Sequence, residues 1–133
     1  MRSDPAKRQR SWSIFLLAAL FTAAGISHFV IPGKYEGVIP FWIPDHSFIV
    51  KLSGVFEIAG GIGLRVRQTR VAAAWGLIVL LVAVFPANVE MLRQAYTAAD
   101  SSELWKLALW LRLPLQGALI WWIGWAARMR LLR

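Results

Sequence analysis

Five polar side chains stand inside otherwise apolar stretches of this chain: His28, Glu57, Asn88, Arg112 and Gln116. A histidine and a carboxylic acid can hold or pass a proton and can hydrogen-bond a carbonyl. An arginine recognises an anion or a pair of oxygens, and the two amides both donate and accept. Placing Asp, Lys or Arg at the centre of a lipid-embedded helix costs about 2.5–3.5 kcal/mol, so such groups pair with one another or serve a function. Their spacing is informative. Gly54, Glu57 and Gly61 fall at i, i+3 and i+7, on one helical face, and the glycines allow a neighbouring backbone to approach the carboxyl closely. Gly25 lies one turn before His28, and Arg112 and Gln116 are one turn apart. Pro86 and Pro114 each free a backbone carbonyl one turn earlier. These residues predict a polar pocket with Glu57 and Arg112 as its charged pair. The same set also fits a second role, an ion pair with satellite hydrogen bonds that only fixes helix packing. Lys51 and Glu90 lie near run ends, from which they can snorkel to an interface, and are left outside the pocket.

The elements that must carry these residues are four apolar runs, at roughly 12–31, 47–64, 71–91 and 107–127. A hydrocarbon core about 30 Å thick needs about 20 helical residues, which each run supplies. The runs are continuous rather than alternating, and helices keep their backbone hydrogen bonds internal, so strands are excluded. The expected fold is all-α, a single-domain integral membrane four-helix bundle. The polar stretch Arg65–Arg70 makes a tight hairpin of the second and third helices. Residues 32–46 carry Pro32, Pro40 and Pro44 around the apolar Val38, Ile39, Phe41, Trp42 and Ile43, which predicts an interfacial loop tucked on or into one mouth of the bundle. The third loop is expected at roughly 92–106.

The chain is 58% hydrophobic and carries 15 Lys and Arg against 7 Asp and Glu. Most of the basic residues fall in three groups: Arg2, Lys7, Arg8 and Arg10; Arg65, Arg67 and Arg70; Arg128, Arg130 and Arg133. In a four-helix chain these share one side, and the positive-inside rule makes that side, with both termini, cytoplasmic. The five polar residues then form one layer in the outer half. Trp12, Trp121, Trp122 and Trp125 mark one interface, and Tyr35, Phe41, Trp42, Tyr96 and Trp105 the other. The first run continues past the small triplet Thr22-Ala23-Ala24 to Ile31, so it is expected to remain as a helix rather than be removed as a leader.

Composition excludes several classes. There is no cysteine, hence no disulfide, thiol redox centre, iron–sulfur cluster or thiolate zinc site. Of the two histidines, His46 belongs to the predicted loop, which excludes a bis-histidine haem. No metal site is expected. The basic residues cluster beside apolar runs instead of lining a helix face, which argues against nucleic acid.

The stretches GISHFVIP (Gly25–Pro32), SGVFEIAGGIGL (Ser53–Leu64), AAWGLIVLLVAVFPANVEM (Ala73–Met91) and WLRLPLQ (Trp110–Gln116) resemble, in order and spacing, the DoxX-like family of small membrane proteins. The resemblance covers roughly residues 16–127. It implies a four-helix protein of a bacterial inner membrane, linked to membrane redox complexes, and it points to the same five polar positions. Thiosulfate oxidation, from which the family takes its name, is not carried over, because no cysteine could hold a sulfur intermediate. The expected function is a subsidiary subunit of a membrane redox system that binds a quinone or other small lipophilic ligand through His28, Glu57, Asn88, Arg112 and Gln116. A redox-enzyme partner subunit or a homo-oligomer would accompany that role. Two readings stand beside it: a small-solute binder or transporter, in which Arg112 holds an anion, and a scaffold subunit.

Overall fold

The computed structural model describes residues 4–128, so Arg2, Arg130 and Arg133 lie outside the described residues. Within them the chain is helical, with four segments long and apolar enough to cross a membrane. Helix α1 (Pro5–Val30) starts earlier than its apolar run because Asp4 caps it, accepting from the Ala6 N–H at 3.1 Å, and Pro5 needs no amide partner there. A short α2 (Pro32–Glu36) follows, then turns to Asp45, which takes a left-handed φ of 54° before α3 (His46–Arg65). The hairpin out of α3 is closed by side chains. Thr69 Oγ1 donates to the Gly63 carbonyl at 2.9 Å and Arg70 Nε to the Leu64 carbonyl at 2.8 Å, satisfying carbonyls that the helix end strands.

The third span departs from expectation. It is two helices, α4 (Arg70–Ala83) and α5 (Phe85–Thr97), interrupted at Val84. Pro86 has no N–H for the Val82 carbonyl, and its ring disfavours helix at the preceding turn. Helix α5 also runs beyond the apolar stretch, because Leu92 and Ala95 bury against Leu109 while Glu90, Arg93 and Gln94 make a polar face. With α6 (Glu103–Ala126) capped by Ser102, whose Oγ accepts from the Trp105 N–H at 3.1 Å, the predicted loop at 92–106 shrinks to residues 98–102.

Helices α1 and α3 pack most intimately, and glycine is the reason. A Cβ on Gly54 would lie 2.8 Å from His28 Cβ and 2.9 Å from the Gly25 carbonyl oxygen. One on Gly61 would lie 2.6 Å from Thr22 Oγ1. Helix α4 continues the layer on α3, with Leu77 seated over Gly60. The core gathers at the basic end, where Leu17, Leu64 and Ile123 are fully buried among Ile14, Phe21 and Leu77. Among the described residues the opposite end has a smaller cluster, Leu92, Ala95 and Leu109. Large apolar side chains such as Leu16, Leu20, Val79, Val82 and Leu115 point outward, a surface suited to hydrocarbon and poorly suited to water.

Candidate functional site

Where α5 leaves the line of α4 it stays beside α6 and makes no close backbone approach to α1 or α3. The space so opened is a cavity of about 380 Å³, within the size range of small-molecule sites. Its walls come from α1, α3, the Val84 break, α5 and the loop 32–46. They are mostly apolar, including Ile39, Ile43, Ile49, Val50 and Met91. The polar groups reaching it are His28, Glu57, Asn88 and Arg112, all expected from sequence, together with Lys34, Tyr35 and Ser53.

The Gly25–Gly54 contact brings His28 against Glu57, with Nε2 and Oε2 3.0 Å apart. His28 Nδ1 lies 2.9 Å from the Val50 carbonyl oxygen. That oxygen can only accept, so Nδ1 carries a proton and donates. At the far ring nitrogen, Nε2 is in contact with Glu57 Oε2. The contact is off the ring N–H direction, which leaves Oε2 buried without an in-line hydrogen-bond partner. Tyr35 packs on the other side of the imidazole, with ring centroids 4.0 Å apart and planes tilted by 33°. Ser27 Oγ donates its one proton to the Ala24 carbonyl, so the Tyr35 hydroxyl, 2.5 Å away, donates to Ser27. Helix, loop and imidazole are thereby fixed together.

The expected Glu57–Arg112 ion pair does not form; the partner of Glu57 is His28. Glycines draw α1 and α3 together, whereas α6, which carries Arg112, makes no close backbone approach to α3. Arg112 reaches the cavity from the far side, where Nη1 is 3.7 Å from Met91 Sδ. Gln116 is buried behind the wall and does not line the cavity. Its Nε2 donates to the Leu81 carbonyl next to the helix break, so its Oε1 must accept, and Asn88 Nδ2 supplies that bond at 2.7 Å. Gln116 thus clamps the break to α6 and orients Asn88, whose Oδ1 remains as an acceptor.

A family model described as a domain of unknown function, DUF8561, matches residues 17–130. The chain belongs to this family. No curated protein and no solved structure matches the chain. The DUF8561 match takes in the whole cavity, from Ala24 to Arg112, with the Val84 break and the loop 32–46 inside it.

Lys51 and Glu90 take no part in the cavity. Lys51 is exposed, and Glu90 is held in a two-pronged ion pair by Arg93 at 2.7 and 2.9 Å. His46 opens α3 and Trp42 is 65% exposed, so neither belongs to the site. Tyr35 was missed as a site residue. In the sequence it reads as an interfacial aromatic; the only signal was the run of prolines that folds the loop back over His28. Lys34, its neighbour, shares that fate.

Proposed function

We propose that this DUF8561 protein is a multi-pass membrane protein of a bacterial inner membrane, with its basic end and both termini cytoplasmic. In this reading its outward-facing cavity binds a small lipophilic ligand with a polar, hydrogen-bonding head. A quinone-like carbonyl compound is the best match, and the protein serves as a subsidiary subunit of a membrane redox system. The observation that carries the proposal is the His28–Glu57 pair. It sets an imidazole and a carboxyl group, 3.0 Å apart, on the wall of a mostly apolar cavity. A ligand carbonyl would accept from whichever group of the pair is protonated, and a ligand hydroxyl would find in Glu57 Oε2 an acceptor that now lacks an in-line donor. Ile39, Ile43 and Met91 would hold a ring, and Asn88 and Arg112 would bond its second polar group. A bound quinone would supply the electron-carrying chemistry; this chain would supply orientation, exclusion of water and two groups able to carry a proton, His28 and Glu57.

The test is purification in mild detergent, native mass spectrometry for retained small molecules, and titration with a short-chain ubiquinone or menaquinone. The expected result is saturable binding, abolished in His28→Phe and Glu57→Gln proteins that keep their helical content. Absence of both a retained molecule and titratable binding would sink the reading. Lys34 and Arg112 on the same cavity favour a second reading, a binder or carrier of a small anion. Its mark would be solute flux in proteoliposomes that disappears with Arg112→Gln.

A further inference from the structure

At the opposite end of the bundle the start of α1, the α3–α4 turn and the end of α6 enclose a second cavity, of about 470 Å³. Six cations line it: Lys7, Arg10, Arg65, Arg67, Arg70 and Arg128. No acidic side chain does, and none of the six forms a salt bridge among the described residues. Like charges gathered in this way repel, and the fold holds them together nonetheless. Three of them are held in place. The Arg10 guanidinium lies 5.3 Å from the centre of the Trp125 ring, that of Arg65 lies 5.7 Å from the Phe15 ring, and Arg70 Nε is bound to the Leu64 carbonyl. Arg10 Nε is buried with no hydrogen-bond partner, a donor without an acceptor. The floor is apolar, formed by Ile14 and Ala127. Trp12 and Phe15 stand exposed on the first turns of α1 beside it, as side chains do at the level of lipid headgroups.

We propose that this basic cavity is a binding site for the phosphate of an anionic phospholipid, whose acyl chains run down the apolar outer face of α1. The ligand is a phosphate ester rather than a carboxylate because several forked guanidinium donors converge from different elements. That arrangement suits a group with oxygens on several sides. A lipid is favoured over free phosphate because the cavity lies at the end of four apolar spans, beside exposed aromatic side chains. The inference rests on the membrane-spanning part of the proposed function and is independent of the ligand in the other cavity.

The test uses the full chain, first in liposome flotation and then in native mass spectrometry. Flotation with both phosphatidylcholine vesicles and vesicles containing phosphatidylglycerol establishes insertion; failure to float with either would overturn the membrane reading itself. Lipid retention is then measured by native mass spectrometry, titrating phosphatidylglycerol, cardiolipin and phosphatidylcholine against the detergent-purified protein. One anionic lipid should be retained preferentially and resist collisional release. Arg10→Gln and Arg67→Gln should each weaken that retention about fivefold, as expected for loss of one cation at an anionic headgroup. Lys51→Gln, at the other end of the bundle, should not change it. Because Arg67 is exposed and makes no internal bond, its variant retains the fold. Insertion with equal retention of anionic and zwitterionic lipid would overturn the lipid site alone. So would full displacement of the lipid by millimolar inorganic phosphate, which would make free phosphate the ligand.

Discussion

The two halves of this bundle solve the same packing problem in opposite ways. Toward the basic end, Leu17, Leu64, Leu77 and Ile123 interlock with almost no exposed surface, and the helices stay together. Toward the other end the third span breaks at Val84, α5 follows α6 away from α3, and a cavity opens with a paired histidine and glutamate on its wall. Helices in lipid gain little from burying apolar surface, since the tails are equally apolar; they associate by close fit and by polar contacts. The basic half uses fit. The hollow half keeps close fit only along the α1–α3 glycine seam and otherwise relies on a few polar clamps. The first half should therefore respond to volume and the second to hydrogen bonding.

The largest effect is expected on the seam that joins the two. Gly54→Ala puts a Cβ within 3 Å of the Gly25 carbonyl, a backbone atom that cannot step aside without moving α1. Overpacking of this kind costs about 1–3 kcal/mol, and the upper part of that range is expected here. Gly117 also lies within a helix, but a Cβ added there would meet nothing within 4 Å. Gly117→Ala should be neutral or stabilise by up to about 1 kcal/mol through reduced backbone freedom. Thermal unfolding of both variants in one detergent, followed by circular dichroism, checks this; equal melting temperatures would break the picture of a glycine seam.

Next comes Leu17→Ala, which leaves a void in the closely packed half. Buried Leu→Ala changes cost about 2–5 kcal/mol in water-soluble proteins. The low end is expected here if, as proposed, the protein spans a membrane, because detergent or lipid rather than water then solvates the separated helices. Ile39→Ala, which only widens an existing cavity, should cost well under that. If the two variants melt alike, the halves do not differ in packing as described.

How much of this contrast is readable from residues alone depends on whether the cause is local. The four spans are legible because each is a continuous apolar run, and the α1–α3 seam because Gly25, Gly54 and Gly61 recur at helical spacing beside His28 and Glu57. The break in the third span was not legible, because Pro86 and Pro114 carry the same signal and α6 runs unbroken through Pro114. The partner of Glu57 was not legible. Choosing between His28 and Arg112 needs the relative positions of α1, α3 and α6, which no spacing within one helix contains. Tyr35 was missed for a similar reason: its contact with His28 depends on how the loop folds back. The end of α5 and the start of α6 were misjudged because amphipathic turns with Arg93 and Glu103 extend beyond the apolar runs.

Gln116→Leu comes third in size. It keeps the volume but strands the Leu81 carbonyl and Asn88 Nδ2, both bonded to Gln116. Leaving buried polar partners unmet costs about 1–3 kcal/mol, and one carbonyl with one half-buried amide should sit near the low end. Replacing Asn88 by Leu as well should recover part of the loss, because fewer partners are then left unmet. Additive losses in the double variant would show that the clamp is not one.

The smallest effect on stability should come from Glu57→Gln, and its smallness separates a site from a strut. In the variant His28 keeps its bond to the Val50 carbonyl, and its Nε2 lone pair can accept from the new amide. An amide of the same size replaces the carboxyl in the contact and no hydrogen bond is lost, so the change should stay under about 1 kcal/mol, while the acidic group is removed. A double-mutant cycle makes this quantitative. Residues in direct contact couple by about 0.5–3 kcal/mol, and separated ones add. Glu57→Gln should couple measurably with His28→Gln, because the pair is in contact at 3.0 Å. It should be additive with Arg112→Gln, because Arg112 turns to Met91 instead. If position 57 couples strongly to 112 and not to 28, the polar layer is an ion-pair strut across the bundle. Coupling to 28 alone, together with a stable but ligand-free Glu57→Gln protein, is what a His28–Glu57 binding wall requires.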